Sequence, residues 1–145
     1  MGLKELFSGF DGKKRKSYFK NLIRVAAADG RIDENEFKYI VGLAKKNNIS
    51  ESEINKVMKN PGKIKFTAPE SMRERFDQMY DLVSVILVDG EVYPNEVRIC
   101  KILAHELGFE EDIVDELLSN MIDQALEGIA FDEAFTIFMQ SYRNN

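Results

Sequence analysis

The feature that most constrains this 145-residue chain is a stretch of sequence that occurs twice. Residues 17–60 align with residues 77–120 without a gap, at a constant offset of 60 residues. The matches include Asp29 and Asp89, each followed by glycine, and Glu36 and Glu96, seven residues further on. A shared period of this length indicates two copies of one supersecondary element. Packed face to face, two such copies would form one core with approximate two-fold symmetry.

Apolar residues recur every three or four positions through both copies, which predicts helices. The pairs Asp33 with Glu36 and Ser50 with Glu53 are typical of capping boxes, and Pro94 suits the first position of a helix. We predict seven helices, at 13–28, 34–47, 51–60, 70–88, 94–107, 110–127 and 131–142. Only residues 63–67 alternate like a strand, and that run is short and flanked by proline.

The predicted fold is therefore all-α, with about seven helices. Two pseudo-symmetric three-helix repeats, at about 17–60 and 77–120, pack into one helical bundle and are followed by a C-terminal helix. The length suits one domain, since a domain typically takes about 100–200 residues. We expect a short N-terminal arm at 1–12 and a single helical domain at 13–145.

Composition excludes several classes of function. The single cysteine, Cys100, and the single histidine, His105, rule out an internal disulfide and any zinc site built from several cysteines or histidines. We expect Cys100 to be a small core residue and His105 to lie exposed near a helix C-terminus. No hydrolytic or phosphate-binding motif is present, so we predict a protein that is not an enzyme and has no catalytic residues.

Charge is distributed unevenly along the chain. The net charge is −5, which argues against a nucleic-acid partner. Residues 1–24 carry seven Lys and Arg against two acids, whereas residues 110–134 carry nine Asp and Glu and no Lys or Arg. Both segments suit solvated faces, but the basic arm also suits an anionic membrane or partner. Without a signal peptide or a spanning segment, we expect a cytoplasmic protein.

The repeated Asp-Gly…Glu motif leaves two interpretations open. Its carboxylates cap the helix that follows, or they bind a divalent cation through oxygen ligands. The motif matches the second half of an EF-hand loop, but Val25 and Ala27 stand where the first ligands should be, so a full calcium loop is not expected. The candidate metal ligands are Asp29, Asp33, Glu36, Asp89 and Glu96. We expect Gly30 and Gly90 to take the left-handed conformation.

Aromatic side chains mark one side of the last predicted helix. Phe131, Phe135 and Phe138, together with Ile137, form its apolar side. We expect all four to pack into the core, with a groove for a partner as the alternative.

Residues 26–36, repeated in part as 88–96, resemble the TerB-like tellurite-resistance domain. The N-terminal region of membrane-anchored DnaJ-like co-chaperones is similar too, and the resemblance covers about residues 13–142. It implies an all-helical fold, a role in tellurite or general stress response, and no established catalysis. The family's proposed metal-chelating acids would fall on Asp29, Glu36, Asp89 and Glu96. The second copy departs from the pattern, because Tyr93 and Pro94 replace the acidic pair at 33 and 34.

The resulting expectation is a non-enzymatic binding or scaffold module of the stress response, with unidentified protein partners. A divalent cation bound by its acidic residues is the only cofactor considered. The basic arm would associate with a membrane-bound complex at its periphery. The alternative is a structural or co-chaperone-like interaction module without metal, in which the carboxylates cap helices.

Overall fold

A computed structural model describes residues 12–28, 32–59, 67–87 and 92–143, and all regular structure in those ranges is helical. The seven helices are α1 (Gly12–Ala28), α2 (Glu34–Lys46), α3 (Glu51–Lys59), α4 (Met72–Ile86), α5 (Pro94–Glu106), α6 (Glu111–Leu126) and α7 (Phe131–Arg143). The predicted all-α fold is confirmed, and every predicted helix end falls within two residues of the observed one. The strand-like run at 63–67 lies outside the described residues except for Thr67.

The described residues divide into two compact units, one within Asp11–Thr67 and one within Ala68–Asn145. In the N-terminal unit, α1 packs against both α2 and α3. In the C-terminal unit, α4 packs against α5, α6 and α7, and α6 also contacts α5 and α7. The first three helices of each unit begin 60 residues apart, at 12 and 72, 34 and 94, and 51 and 111. The internal repeat, its two-fold packing and the single domain at 13–145 stay predictions.

Local signals set the ends of these helices. Ser50 accepts a hydrogen bond from the N–H of Glu53 at 3.1 Å, and Glu53 accepts one from the N–H of Ser50 at 3.1 Å, as the capping box predicts. Pro94 opens α5, also as predicted. Left-handed backbone at Asn48 (φ 68°) and Gly108 (φ 90°) follows α2 and α5, a common way to end a helix. The predicted left-handed Gly30 and Gly90 lie outside the described residues.

Helix α4 is buried over its whole circumference from Phe76 to Ile86. Apolar spacing of three or four residues is typical of one buried face, yet four polar residues of this stretch are buried as well. These are Asp77, Gln78, Asp81 and Ser84. The Ser84 hydroxyl donates to the Tyr80 carbonyl at 2.8 Å, so this polar group is satisfied within the helix itself.

An aromatic cluster joins α7 to α4. The ring of Phe76 lies 5.1–5.8 Å, centroid to centroid, from the rings of Tyr80, Phe131, Phe135 and Phe138. The Tyr80 hydroxyl donates to the Ile129 carbonyl at 2.6 Å, which ties α4 to the turn before α7. Burial, and then the charge of Glu133, raise the pKa of Tyr80 to about 12.

The position of Ile137 corrects a prediction. Ile137 is 42% exposed, although the sequence placed it in the core with the three phenylalanines. The reason is angular, since Ile137 is offset by about 100° around the helix axis from Phe138, which faces α4. Phe131, Phe135 and Phe138 face the core, where their rings contact Phe76, but each is only half-buried.

Candidate functional site

The first candidate site is the turn before α2, where Asp33 and Glu36 cap the helix reciprocally. Asp33 Oδ1 accepts a hydrogen bond from the N–H of Glu36 at 2.7 Å. Glu36 Oε1 accepts one from the N–H of Asp33 at 3.1 Å. Glu36 is buried, whereas Asp33 is exposed. The two carboxylates therefore satisfy two N–H groups that the first turn of a helix leaves without intrahelical partners.

The equivalent turn before α5 keeps only half of this arrangement. Glu96 is buried, and its Oε1 accepts a hydrogen bond from the N–H of Tyr93 at 2.9 Å. Tyr93 is 51% exposed and provides no side-chain cap, so the N–H of Glu96 donates to the Tyr93 carbonyl at 3.0 Å instead. In both units the glutamate accepts a hydrogen bond from the N–H of the N-cap residue. Of these two helices, only α2 also has an N-cap side chain that accepts a hydrogen bond.

Two of the five predicted metal ligands, Asp29 and Asp89, lie outside the described residues. Of the other three, the structure brings Asp33 and Glu36 together in one turn and places Glu96 in the other unit. Within the described ranges, no group of three or more His, Cys, Asp or Glu side chains is arranged to hold a metal ion. The carboxylate oxygens Asp33 Oδ1, Glu36 Oε1 and Glu96 Oε1 accept hydrogen bonds from backbone N–H groups. The cation site stays a prediction.

The single cysteine of the chain is buried and unreactive, whereas its single histidine is exposed. Cys100 is buried, and burial, followed by the charge of Glu96, raises the pKa of its thiol to about 12. The reactive thiolate is thereby suppressed at neutral pH. His105 is exposed in the last turn of α5, as the sequence predicts.

A second candidate site is a groove between α6 and α7, called here the α6–α7 groove. Its empty space is about 490 Å³, including the open mouth. Its floor consists of Phe76, Leu117, Met121 and Phe138, its walls of Ile113, Ile137 and Tyr142, and its rim of Glu116, Asn120, Gln124 and Ser141. Two of the wall side chains, Ile137 and Tyr142, are among the most exposed large apolar residues of the described chain, at 42% and 38%.

Unpaired acidic charge lies on α6, the helix that forms one side of this groove, and Glu116 lines the groove itself. Asp112, Glu116 and Asp123 on α6 are exposed and form no ion pair with another described residue. Asp115, by contrast, is paired with Lys101 at 2.8 Å. The predicted acidic segment is therefore a feature of the groove's own helix.

The sequence identified the acidic segment, but for the apolar side of α7 it favoured core packing over a groove for a partner. The available signal was Ile137, which lies off the row formed by Phe131, Phe135, Phe138 and Tyr142. A single exposed apolar residue is ordinary, so Ile137 becomes informative only together with the groove that it lines.

Comparison with known proteins places the chain in a family. No helix in the described ranges has the length and apolar character needed to cross a membrane. Neither a curated protein nor a solved structure matches the chain at a significant level. A profile described as "Protein of unknown function (DUF533)" matches residues 11–121, which is more than half of the chain and ends within α6. The chain therefore belongs to the DUF533 family, which is grouped with the TerB-like proteins.

Proposed function

We propose that this protein is a non-enzymatic binding module that holds a protein partner on its C-terminal unit as part of a stress response. The observation that carries the proposal is the α6–α7 groove with its exposed Ile137 and Tyr142. Soluble domains seldom leave large apolar side chains exposed together in a concavity unless another molecule covers them.

The turn carboxylates favour this function over cation binding. Asp33, Glu36 and Glu96 are each engaged in hydrogen bonds that begin a helix. Helix capping thus accounts for Asp33 Oδ1, Glu36 Oε1 and Glu96 Oε1 without a metal. The resemblance to tellurite-resistance domains and to DnaJ-like co-chaperones supports the stress role, and partner binding is one activity by which a protein without catalysis serves such a role.

The settings of Cys100 and His105 support the absence of catalysis. A nucleophilic mechanism needs a nucleophile and a base within hydrogen-bond reach of each other. Cys100 is buried as a neutral thiol, while the His105 side chain lies exposed at the end of the same helix.

Site-specific photo-crosslinking tests the proposal in the cells that produce the protein. A photoreactive amino acid replaces Ile137 in the groove, and in a matched control it replaces Lys38, which is exposed on α2. We expect a discrete adduct only from position 137, identified by mass spectrometry. The purified partner should then bind the wild-type protein and lose affinity for Ile137→Asp. Equal adducts from both positions, or none from either, would refute the proposal.

The stress role has its own test. Cells that lack the protein should grow more poorly on tellurite than cells that express it. Expression of Ile137→Asp should fail to restore growth, whereas Lys38→Ala should restore it. If Ile137→Asp restored growth on tellurite, the groove would have no part in the stress response.

A further inference from the structure

We propose that the α6–α7 groove binds the apolar face of a basic amphipathic helix supplied by a partner protein. This inference rests on the proposed function and names the chemistry of the partner. It is carried by the shape of the groove, the apolar character of its floor and the charge around it.

The shape of the groove favours a helix as its occupant. Its walls are two helices, and α7 has 13 residues, which span about 20 Å. The backbone groups of both walls are used in their own helices, so an extended segment would find few partners for its backbone N–H and C=O groups. A helix satisfies its backbone internally and presents side chains at i, i+3, i+4 and i+7 to such a groove.

The floor is apolar and adaptable. Phe76, Leu117 and Met121 are buried, and Phe138 completes the floor. Met121 has an unbranched, polarisable side chain that can adjust to apolar groups of different shapes. Ile137 and Tyr142 stand above this floor and would lose water contact when a helix binds. Leucine, isoleucine or phenylalanine anchors fit this environment.

The charge around the groove selects a basic partner. Glu116 lies on the rim, and Asp112 and Asp123 lie on the same helix, all three without an ion pair to a described residue. Residues 110–134 include no Lys or Arg. Lysine or arginine beside the apolar anchors would meet opposite charge, whereas an acidic helix or an anionic lipid surface would be repelled.

A second copy of this chain is a poor occupant. Its basic helix, α1, carries Lys13, Lys14, Lys16, Lys20 and Arg24. The apolar face of that helix is already buried in its own chain, where Phe19, Leu22 and Ile23 are at most 2% exposed. Among the described helices, α1 of a second copy could therefore offer charge but no apolar face, which favours a different protein as the partner. The family match ends within α6, so α7 and the wall it supplies lie beyond the matched segment.

The test measures binding of fluorescent model peptides to the full chain by fluorescence anisotropy. The probe has about 18 residues, roughly 27 Å as a helix, with leucine at i, i+3, i+4 and i+7 positions and lysine elsewhere. A second peptide replaces each lysine by glutamate, and a third has the first composition in scrambled order. We expect the basic amphipathic peptide to bind at least about tenfold more tightly than either control. Its affinity should fall when the salt concentration is raised.

Paired variants localise the binding. Ile137→Asp should weaken binding at least about tenfold, while Leu126→Asp, at a 52% exposed position outside the groove lining, should leave it within about twofold. Glu116→Lys should weaken binding of the basic peptide, while Glu106→Lys, on an exposed acid of α5, should not. Helix content and melting temperature, followed by circular dichroism, verify that each variant is folded.

Several results would overturn the inference. Two concern the peptides: equal affinity for the lysine and glutamate peptides, and equal losses of affinity in Ile137→Asp and Leu126→Asp. The third is binding to phosphatidylglycerol vesicles that Ile137→Asp abolishes. The fourth is a dimer in solution that the same variant dissociates. A crosslink from position 137 to a partner without a basic helix would refute this inference and leave the proposed function intact. Absence of both crosslink and peptide binding would refute both.

Discussion

Replacing Asp33 by alanine would test whether the turn carboxylates are structural. The variant loses the Oδ1 atom that accepts the N–H of Glu36 at 2.7 Å, and it weakens the reciprocal bond from the N–H of Asp33 to Glu36. Loss of such an N-cap costs about 0.5–2 kcal/mol. Because the acceptor is charged and the partner glutamate is buried, we expect about 1–2 kcal/mol.

This magnitude predicts a measurable change in melting temperature. At about 2.1 cal/mol/K of unfolding entropy per residue, a chain of this length loses about 3 °C for each kcal/mol, so the expected fall is about 3–6 °C. Asp33→Asn keeps a side-chain acceptor and should stay within about 0.5 kcal/mol of the wild type. Thermal and urea unfolding, followed by circular dichroism, would measure both variants.

Ser50→Ala provides the matched control. It removes a neutral, exposed cap from α3, where Ser50 accepts the N–H of Glu53 at 3.1 Å, and it involves no candidate metal ligand. We expect a smaller loss of about 0.5–1 kcal/mol. A melting temperature of Asp33→Ala equal to that of the wild type would show that the cap contributes nothing to stability.

Cation titration separates capping from metal binding. If capping is the whole role of these carboxylates, Ca²⁺, Mn²⁺ and Zn²⁺ should give no heat of binding in calorimetry. They should also leave the melting temperatures of the wild type, Asp33→Asn and Ser50→Ala unchanged. A cation that raises the melting temperature of the wild type and of Ser50→Ala, but not of Asp33→Asn, would refute the capping interpretation.

Three further predictions concern the C-terminal unit. Tyr80→Phe should lower the free energy of unfolding by about 1–3 kcal/mol, because the Ile129 carbonyl loses its donor at 2.6 Å; unchanged urea unfolding would contradict this. Tyr93→Asp should raise stability by about 1 kcal/mol, because it offers the N–H of Glu96 a side-chain acceptor; a lower melting temperature would contradict it. The Cys100 thiol ionises above its ordinary pKa of 9.0 in the unfolded chain, but burial raises the pKa to about 12 in the folded one. The free energy of unfolding should therefore fall as the pH rises from 9.0 towards 12. Urea unfolding of Cys100→Ala should lack that part of the decline, and identical pH profiles would disprove it.

Local sequence patterns were sufficient to predict the local structure of this protein. The helices, the Asp33 and Ser50 caps and the start of α5 at Pro94 were all predicted, because each depends on residues within a few positions of one another. A hydrogen bond between an N-cap residue and the third residue of its helix can be predicted from a short stretch of sequence. The same holds for the apolar row of α7 that contacts Phe76.

The tertiary structure alone decided which side chains are buried and which meet solvent. In α4, the polar residues Gln78 and Asp81 are fully buried together with the apolar ones, which no local pattern indicates. Ile137 looked like a core residue, yet it forms the wall of a groove because Phe138 takes the position against Phe76, 62 residues away in the chain. Burial depends on neighbours that are distant in sequence, which is why the candidate binding surface could be recognised only in the folded molecule.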